Sequence, residues 1–397
     1  MQLPQIPKTI EDFSFTLDGN LFGKSLKLCD EVIKFSEADK MIEDLNMVVC
    51  TGSKVYLIGR TIDTFIINEL SASGIEGVGA ALLDFSQLSP VVRKDLIKFE
   101  FTRGEMLAKS RNSKLKISVR HVSQDQLMSL DMTIRNIEVK NNADILPPNV
   151  VSELKRAVDM SYIPDLYTDA SVNSHITLKS GQLTVVTSSN FISALYEAEF
   201  KERVPDTKIS LGSDMLKLLY KVVGDADTQF YVNGANFVAS ADNFLVLLPP
   251  VRSSKEDFQK FDIALDTLGS ATATGNGHHD MVLAVNTLAA LVSANKALKG
   301  QSVKFNFSAK SGQALLKFST DGQSLVEKIK FATKDTFTFN ADIRLFQLLL
   351  KALGNGIKGG ECDHLMRVFG PVGKYKAFML DYDMKEFRIK YLMHCTN

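Results

Sequence analysis

The chain has 397 residues, 45% of them hydrophobic and 23% charged, with Lys+Arg and Asp+Glu equal at 46 each. That length suits two or three globular domains, and a net charge of zero excludes a global pull toward nucleic acid while leaving room for a local basic surface. No stretch reaches the roughly 18 apolar residues of a membrane helix, the opening "MQLPQIPKTIEDF" lacks the regions of a secretory leader, and Cys29, Cys50, Cys362 and Cys395 form no CxxC pair, so we expect a cytoplasmic protein with free, mostly buried thiols and no zinc or disulfide framework.

The first strong pattern along the chain is helical, "NLFGKSLKLCDEVIKFS" (20–36), with Phe22, Leu26, Cys29 and Ile33 on one face and Lys24, Lys27 and Lys34 on the other. The hairpin "VVCTGSKVYLIGRT" (48–61) follows, then strand-like "DTFIINEL" and "GVGAALLDF". "SQLSPVVRKDLIKF" (86–99) reads as a helix with Leu88, Val92 and Leu96 inward and Lys94 and Lys98 outward. Three strand-like runs, "KFEFTRG", "MLAKSRN" and "LKISVRHV", complete the series.

The same series begins again with the helical "PNVVSELKRAVDMS" (148–161), which exposes Lys155 and Arg156. The hairpin "LKSGQLTVV" (178–186) follows, then two strand-like runs, then the helix "SDMLKLLYKVVG", capped by Ser213 or Asp214, with Lys217 and Lys221 outward. Three more strands end at "FLVLLPPV". The polar and Gly/Ser/Thr-rich 253–277 reads as a connector whose apolar middle could pair as a strand. A third round opens with "NTLAALVSANKALKG" (286–300), carrying Lys296 and Lys299. It repeats the Lys-Ser-Gly-Gln hairpin at 310–313 and adds a helix, "DIRLFQLLLKALG", capped by Asn340 or Asp342, with Arg344 and Lys351 outward. It ends in three strands that finish at "YLMHCTN".

Gly52, Gly181 and Gly312 lie 129 and 131 residues apart. A period of about 130 residues is too long for a solenoid and suits three compact α+β units that each bury a core. The boundaries fall at 1–126, 127–252 and 253–397. Each unit reads as strand, helix, four strands, helix, three strands. All six helices carry basic residues on their exposed faces. Such a surface would attract a phosphate backbone without reading bases.

Other motifs point to no chemistry. Gly354-Asn-Gly356-Ile-Lys-Gly359 matches GxGxxG but follows a helix, the reverse of a dinucleotide site, and reads as a helix stop. His278-His279 has only Asp280 beside it, short of a metal set. Asn306-Phe-Ser308 is a glycosylation sequon in form only. Neither GxxxxGK[ST] nor GxSxG occurs, and we expect no cofactor and no catalysis.

On this repeat and spacing, nearly the whole chain resembles the three-domain DNA polymerase sliding clamp of bacteria, in a divergent form that would suit a phage. The resemblance implies three tandem clamp-type domains, each with two helices packed on two four-stranded antiparallel sheets. It also implies a head-to-tail homodimer closed into a ring, with the helices around double-stranded DNA. A DNA polymerase and a clamp loader would dock through short peptide motifs between the second and third domains. The family's docking turn matches Thr187-Ser188-Ser189-Asn190-Phe191-Ile192, and its apolar strand end matches Tyr391, Leu392 and Met393. Thr320-Asp321-Gly322 with Leu325 matches the turn more closely, in the third domain. A scaffold with no role on DNA, or an enzyme with a site in a domain cleft, remain the alternative readings.

Overall fold

The computed structural model describes residues 3–34 except 9, 45–60, 64–83, 88, 96–137 except 121, 145–163, 172–204 except 180 and 190, 206–220 except 215, 218 and 219, 229–233, 236–271 except 249, 273–275, 287, 302–308, 313–320, 323–330, 337–342, 363–372 and 375–395 except 385. Within these residues the recurring hairpin forms three times. β2 (Leu45–Cys50) pairs with β3 (Val55–Arg60), β10 (Asn173–Lys179) with β11 (Gln182–Ser188), and β18 (Ser302–Ser308) with β19 (Gln313–Thr320). Gly52 and Gly181 sit at φ +84° and +85°, a left-handed conformation that glycine adopts without a Cβ penalty.

Each hairpin gains the same two neighbours. A following strand adds to its second arm: β4 (Phe65–Leu70), β12 (Ile192–Glu199) and β20 (Gln323–Lys330). A later strand adds to its first arm: β6 (Gly79–Leu82), β13 (Thr207–Gly212) and β21 (Phe337–Asp342). A second arrangement also recurs. β1 (Phe13–Asp18) pairs with β7 (Leu96–Thr102), which leads to β8 (Glu105–Ser110) and β9 (Ser113–Ser118). Ile145 bridges Tyr231 on β14 (Gln229–Asn233), which leads to β15 (Asn236–Ser240) and β16 (Phe244–Leu248). β17 (Ala273–Gly275) pairs with β22 (Asp363–Val372), which leads to β23 (Tyr375–Asp383) and β24 (Phe387–Cys395). The strand order expected from the sequence is thus formed three times, as an α+β fold of tandem modules. The additional strand β5 (Ser73–Glu76), on β1, was not foreseen.

The chain divides into two compact units, the first comprising Met1–Leu146 and Asp214–Pro250. Its seven-stranded sheet runs β14-β15-β16-β4-β3-β2-β6, and its five-stranded sheet runs β5-β1-β7-β8-β9. Helix α1 (Gly19–Lys34) is capped by Asp18, whose Oδ1 accepts the backbone N–H groups of Asn20 and Leu21 at 2.9 and 3.1 Å. It buries Phe22, Leu26 and Cys29, the face that the periodicity predicts. Helix α2 (Gln124–Ile137) was not foreseen. Its Leu127, Leu130 and Ile134 pack on Met47, Val49, Ile58 and Ile67. Because strand residues alternate between faces, α1 and α2 cover opposite faces of the seven-stranded sheet.

The second unit comprises Pro147–Ser213 and Val251–Asn397. Its sheets run β13-β10-β11-β12-β24-β23-β22-β17 and β20-β19-β18-β21. Helix α3 (Pro148–Ser161) has the bounds read from the sequence and buries Val150, Leu154, Ala157 and Val158. The apolar middle of the 253–277 connector corrects the sequence reading, forming helix α4 (Lys260–Leu268) rather than a strand. Phe261, Leu265 and Leu268 recur at helical spacing and pack on Val186, Leu195, Phe369 and Leu392. One further correction is local. Leu96–Thr102 is strand, so the helix read over 86–99 cannot include its last residues. Asn340 and Asp342 lie in the last residues of strand β21, and the helix they would cap lies outside the described residues. Residues 343–362 lie outside the described structure, and with them the GxGxxG segment, as does His278-His279. Cys29 and Cys50 are buried and stand in no disulfide among the described residues.

One turn carries a sharp steric test. Gly77 (φ +76°) would place an added Cβ 2.2 Å from the Asp12 carbonyl oxygen, whereas Gly104 (φ +88°) would meet nothing within 4 Å. Gly104→Ala should cost about 1 kcal/mol of stability from its left-handed backbone alone, and Gly77→Ala roughly twice that or more. Urea unfolding of the two variants checks the difference, and equal losses would contradict the close approach.

Candidate nucleic-acid interface and partner groove

The cations expected on helices fall into four groups. Lys24 and Lys27 are exposed on α1, opposite its buried stripe, and Lys217 is exposed on the helical turn formed by Ser213, Asp214, Leu216, Lys217 and Tyr220. Lys155 and Arg156 are half-buried on α3. Arg156 lies 3.2 Å from both Glu153 and Glu386, and 5.2 Å over the Phe387 ring. Burial opposes its charge, but Glu153, Tyr196 and Glu386 together outweigh burial and raise its pKa. Its guanidinium therefore braces α3 against the first residue of β24. Lys98 is exposed on β7 rather than on a helix and lies 3.4 Å from Glu100. The side chains of Lys34, Lys94, Lys221, Lys296, Lys299, Arg344 and Lys351 lie outside the described residues.

The expected peptide groove is brought together in sequence register and then divided by face. Ser189 closes the turn, its Oγ accepting the backbone N–H groups of Phe191 and Ile192 and its own N–H donating to the Ile192 carbonyl. Ile192 pairs directly with Met393, and Ser193 with Leu392, across β12 and β24. Asn190 lies outside the described residues, and Phe191 is 39% exposed. Thr187 is fully buried on the α3 face, its Oγ1 donating to Ser161 Oγ at 3.3 Å. On the same face Tyr391 donates to the Met160 carbonyl. Tyr196 donates to Glu153 there, and burial together with that bond pushes its phenol pKa far up. Alternation puts Ile192 and Met393 on this face as well, both fully buried. Leu392 points the other way, into the apolar cluster beneath α4. Of the five described candidates, Thr187, Ile192 and Met393 are thus buried on the α3 face, Leu392 on the α4 face, and Phe191 is exposed. In the third module, Thr320↔Gln323 closes the β19–β20 hairpin, and Asp321 and Gly322 lie outside the described residues.

The α4 face also carries charges that sequence reasoning missed. Arg388 donates to both oxygens of the 3%-exposed Asp381, at 2.8 and 2.7 Å, with Arg367 3.8 Å away. Lys390 reaches Glu197 at 3.0 Å across the joint between β24 and β12. Burial raises the Asp262 carboxyl of α4, Lys390 opposing and Glu197 and Asp266 adding to the rise. No local motif announces these groups, because each pair is assembled by strand register, across the β23–β24 hairpin for Arg388 and Asp381 and between distant segments for Lys390 and Glu197.

No protein-family model matches the sequence, and no characterised protein matches it at the sequence level. Solved structures do match. The DNA polymerase sliding clamp of Bacillus subtilis superposes with a TM-score of 0.71 at 14% identity, over 98% of this chain and 100% of that one. The beta sliding clamp of C. crescentus gives 0.71 at 16%, over 97% and 100%. The DNA polymerase III beta subunit of Thermotoga maritima gives 0.68 at 11%, over 97% and 99%. The chain has the sliding-clamp fold.

Within that fold, the segment leading into α4 is a place where pH acts on stability. His175 on β10 is 7% exposed, its Nδ1 2.7 Å from Ser210 Oγ and its ring 5.4 Å from that of Phe258. Burial lowers its pKa, with Asp257 opposing and Lys260 reinforcing, and burial lowers that of His394 as well. A histidine whose folded pKa is depressed leaves the unfolded chain with more bound protons as pH falls through about 6.5, so the folded state loses stability there. The urea midpoint should therefore drop between pH 7.5 and 5.5, and His175→Gln should remove part of that drop. An unchanged drop in the variant would assign it to other groups.

Proposed function

We propose that this chain is one subunit of a homodimeric ring clamp that encircles double-stranded DNA without sequence preference and tethers a replicative polymerase. It would act without catalysis or cofactor, in the cytoplasm of a bacterium or of a phage-infected one. Its three domains would span 1–126, 127–252 and 253–397. One observation carries the reading. Twice, the third strand of a hairpin module pairs with the last strand of the module after it, as β4 with β16 and β12 with β24. Among the described residues the third such strand, β20, and the remaining last strand, β9, are each the edge of their own sheet. The same joint made reciprocally between two copies, β20 on β9, covers both edges and closes a ring head to tail. Val326, 51% exposed on β20, supplies apolar surface for that contact.

The fold supports the partner as well as the assembly. The structural neighbours bear the names of DNA polymerase clamps, and the exposed Lys24, Lys27 and Lys217 give helices that attract phosphate while reading no base. Polymerase and clamp loader would dock by short peptides near Phe191 and Leu392, and a peptide that reaches Leu392 has to displace α4.

Light scattering should give a dimer of the 43.9 kDa chain at micromolar concentration, and Ile117→Lys with Val326→Lys should give a monomer. The dimer should stay on nicked circular DNA and slide off once the DNA is cut. Replacing Lys24, Lys27, Lys217, Lys221, Arg344 and Lys351 by Glu should reduce loading and polymerase stimulation, most strongly at low salt. A wild-type monomer would overturn the closed ring. An unaffected polymerase assay with the Glu variant would favour the scaffold reading.

A further inference from the structure

The three joints of the proposed ring differ in the charges that their strand registers bring together. In the first joint Leu245 lies opposite Ile67, an apolar pair. In the second, Arg388 lies between Asp383 on β23 and Glu197 on β12, so acid, base and acid alternate across the strands. Two turns fix the register of the third joint, β20 on β9. The Ser189 N–H donates to the Ile192 carbonyl ahead of β12, and Thr320 pairs with Gln323 ahead of β20, so Ile192 corresponds to Gln323 and Glu197 to Lys328. The Met384 N–H donates to the Phe387 carbonyl ahead of β24, and Ser110 pairs with Ser113 ahead of β9, so Arg388 corresponds to Lys114. The register of the second joint therefore sets Lys114 opposite Lys328 of the partner subunit. Lys114 already lies opposite Lys109, and Lys109 opposite Lys98. The row across the third joint is thus four lysines. Glu100 lies 3.4 Å from Lys98 and 2.5 Å from Lys109. Lys114 and Lys328 are exposed and make no ion pair among the described residues.

We propose that this lysine row binds a phosphate-chain anion, and that the bound anion tightens the joint between two copies. The fourth lysine rests on the ring reading; the first three stand on one sheet of a single chain. Like charges directly opposite one another weaken strand pairing, so the bare joint is held by its backbone ladder against the repulsion of Lys114 and Lys328. One carboxylate, Glu100, serves two of the four lysines, which leaves three positive charges uncompensated. The next row on the same face adds the exposed Lys317 and Lys304 of the partner subunit, opposite one another on β19 and β18. Adjacent strands lie about 4.8 Å apart, so the four ammonium groups are strung over roughly 14 Å. Lysine serves phosphate as a compact point charge. A linear anion with a charge at each link meets successive lysines at once, whereas chloride only screens them. Phosphate supply then becomes a control on how readily the ring opens. A nucleoside triphosphate and an inorganic polyphosphate share this chemistry.

Light scattering of the full-length chain over a dilution series reads the dimer dissociation constant. At equal ionic strength, millimolar tripolyphosphate should tighten the dimer about tenfold relative to sodium chloride. ATP without magnesium in its place separates the two sources: an equal effect assigns the row to nucleotides as well, and a smaller one to inorganic chains, both in support. Lys328→Glu restores the sign that Glu197 has in the second joint. It should tighten the dimer about tenfold without any added anion and remove the response to tripolyphosphate. Adding Lys114→Glu to that variant returns like charges to the pair and should weaken the dimer again. A dimer that Lys328→Glu weakens, or that responds no more to tripolyphosphate than to chloride, would overturn the proposal and leave the ring standing. A chain monomeric in every arm, Lys328→Glu included, would overturn the ring and the anion row together.

Discussion

The backbone ladder that joins one module to the next is the interaction on which the rest of the structure depends. A strand edge offers unpaired N–H and C=O groups that template further pairing. In this chain β4 and β12 are such edges, and each is occupied by the last strand of the following module. The ladder fixes register residue by residue, and a slip of one residue would turn every side chain to the other face. That register brings Phe387 beneath Arg156, Lys390 to Glu197, and Ile192 to Met393. The charges and the groove are consequences of the joint more than of any local motif.

This explains what the sequence disclosed. Helices α1 and α3 and the three hairpins were readable because their signals are local: a 3.6-residue apolar stripe, or a small polar turn between alternating runs. Helix α2 was equally local and was overlooked. Ser123 and Gln126 form a capping box, each accepting the other's backbone N–H at 3.1 and 2.8 Å, and that S-x-x-Q was legible. α4 was misread because its nine residues sit in a polar connector, where an apolar run short of three turns suits strand or helix alike. The helix read over 86–99 ran too far because Lys98, Glu100 and Thr102 alternate with Ile97, Phe99 and Phe101 in the period of a strand.

The candidate site shows the same division. That lysines line the exposed face of α1 could be read from spacing. That Arg156 is committed to Glu153, Glu386 and Phe387 could not, since two of its partners lie 230 and 231 residues away. The groove residues were chosen as sequence neighbours. Neighbours on a strand face opposite ways, so Met393 and Leu392 necessarily part, one toward α3 and the other toward α4.

The two linker helices then set what each joint can accept. α2 and α4 precede the second and third modules, and each lies on the sheet face opposite the module helix α1 or α3. In the second unit the Arg156 network lies on one face of the joint and Phe261 and Leu268 on the other. Re-exposing those two side chains costs about 2 kcal/mol apiece, and about 4 kcal/mol is roughly a thousandfold in affinity. A partner peptide that lifts α4 must therefore bring comparable apolar surface of its own, which selects for bulky hydrophobic residues. In the first unit the α2 face is covered in the same way, but the α1 face keeps a cavity over Asn68. The duplication has thus left two joints of one plan lined by different side chains, with cavities of about 490 and 290 Å³ beside them. Ser25, Leu28 and Ile66 stand in the first joint where the second has Glu153, Arg156 and Tyr196, so the same backbone ladder carries different side-chain contacts.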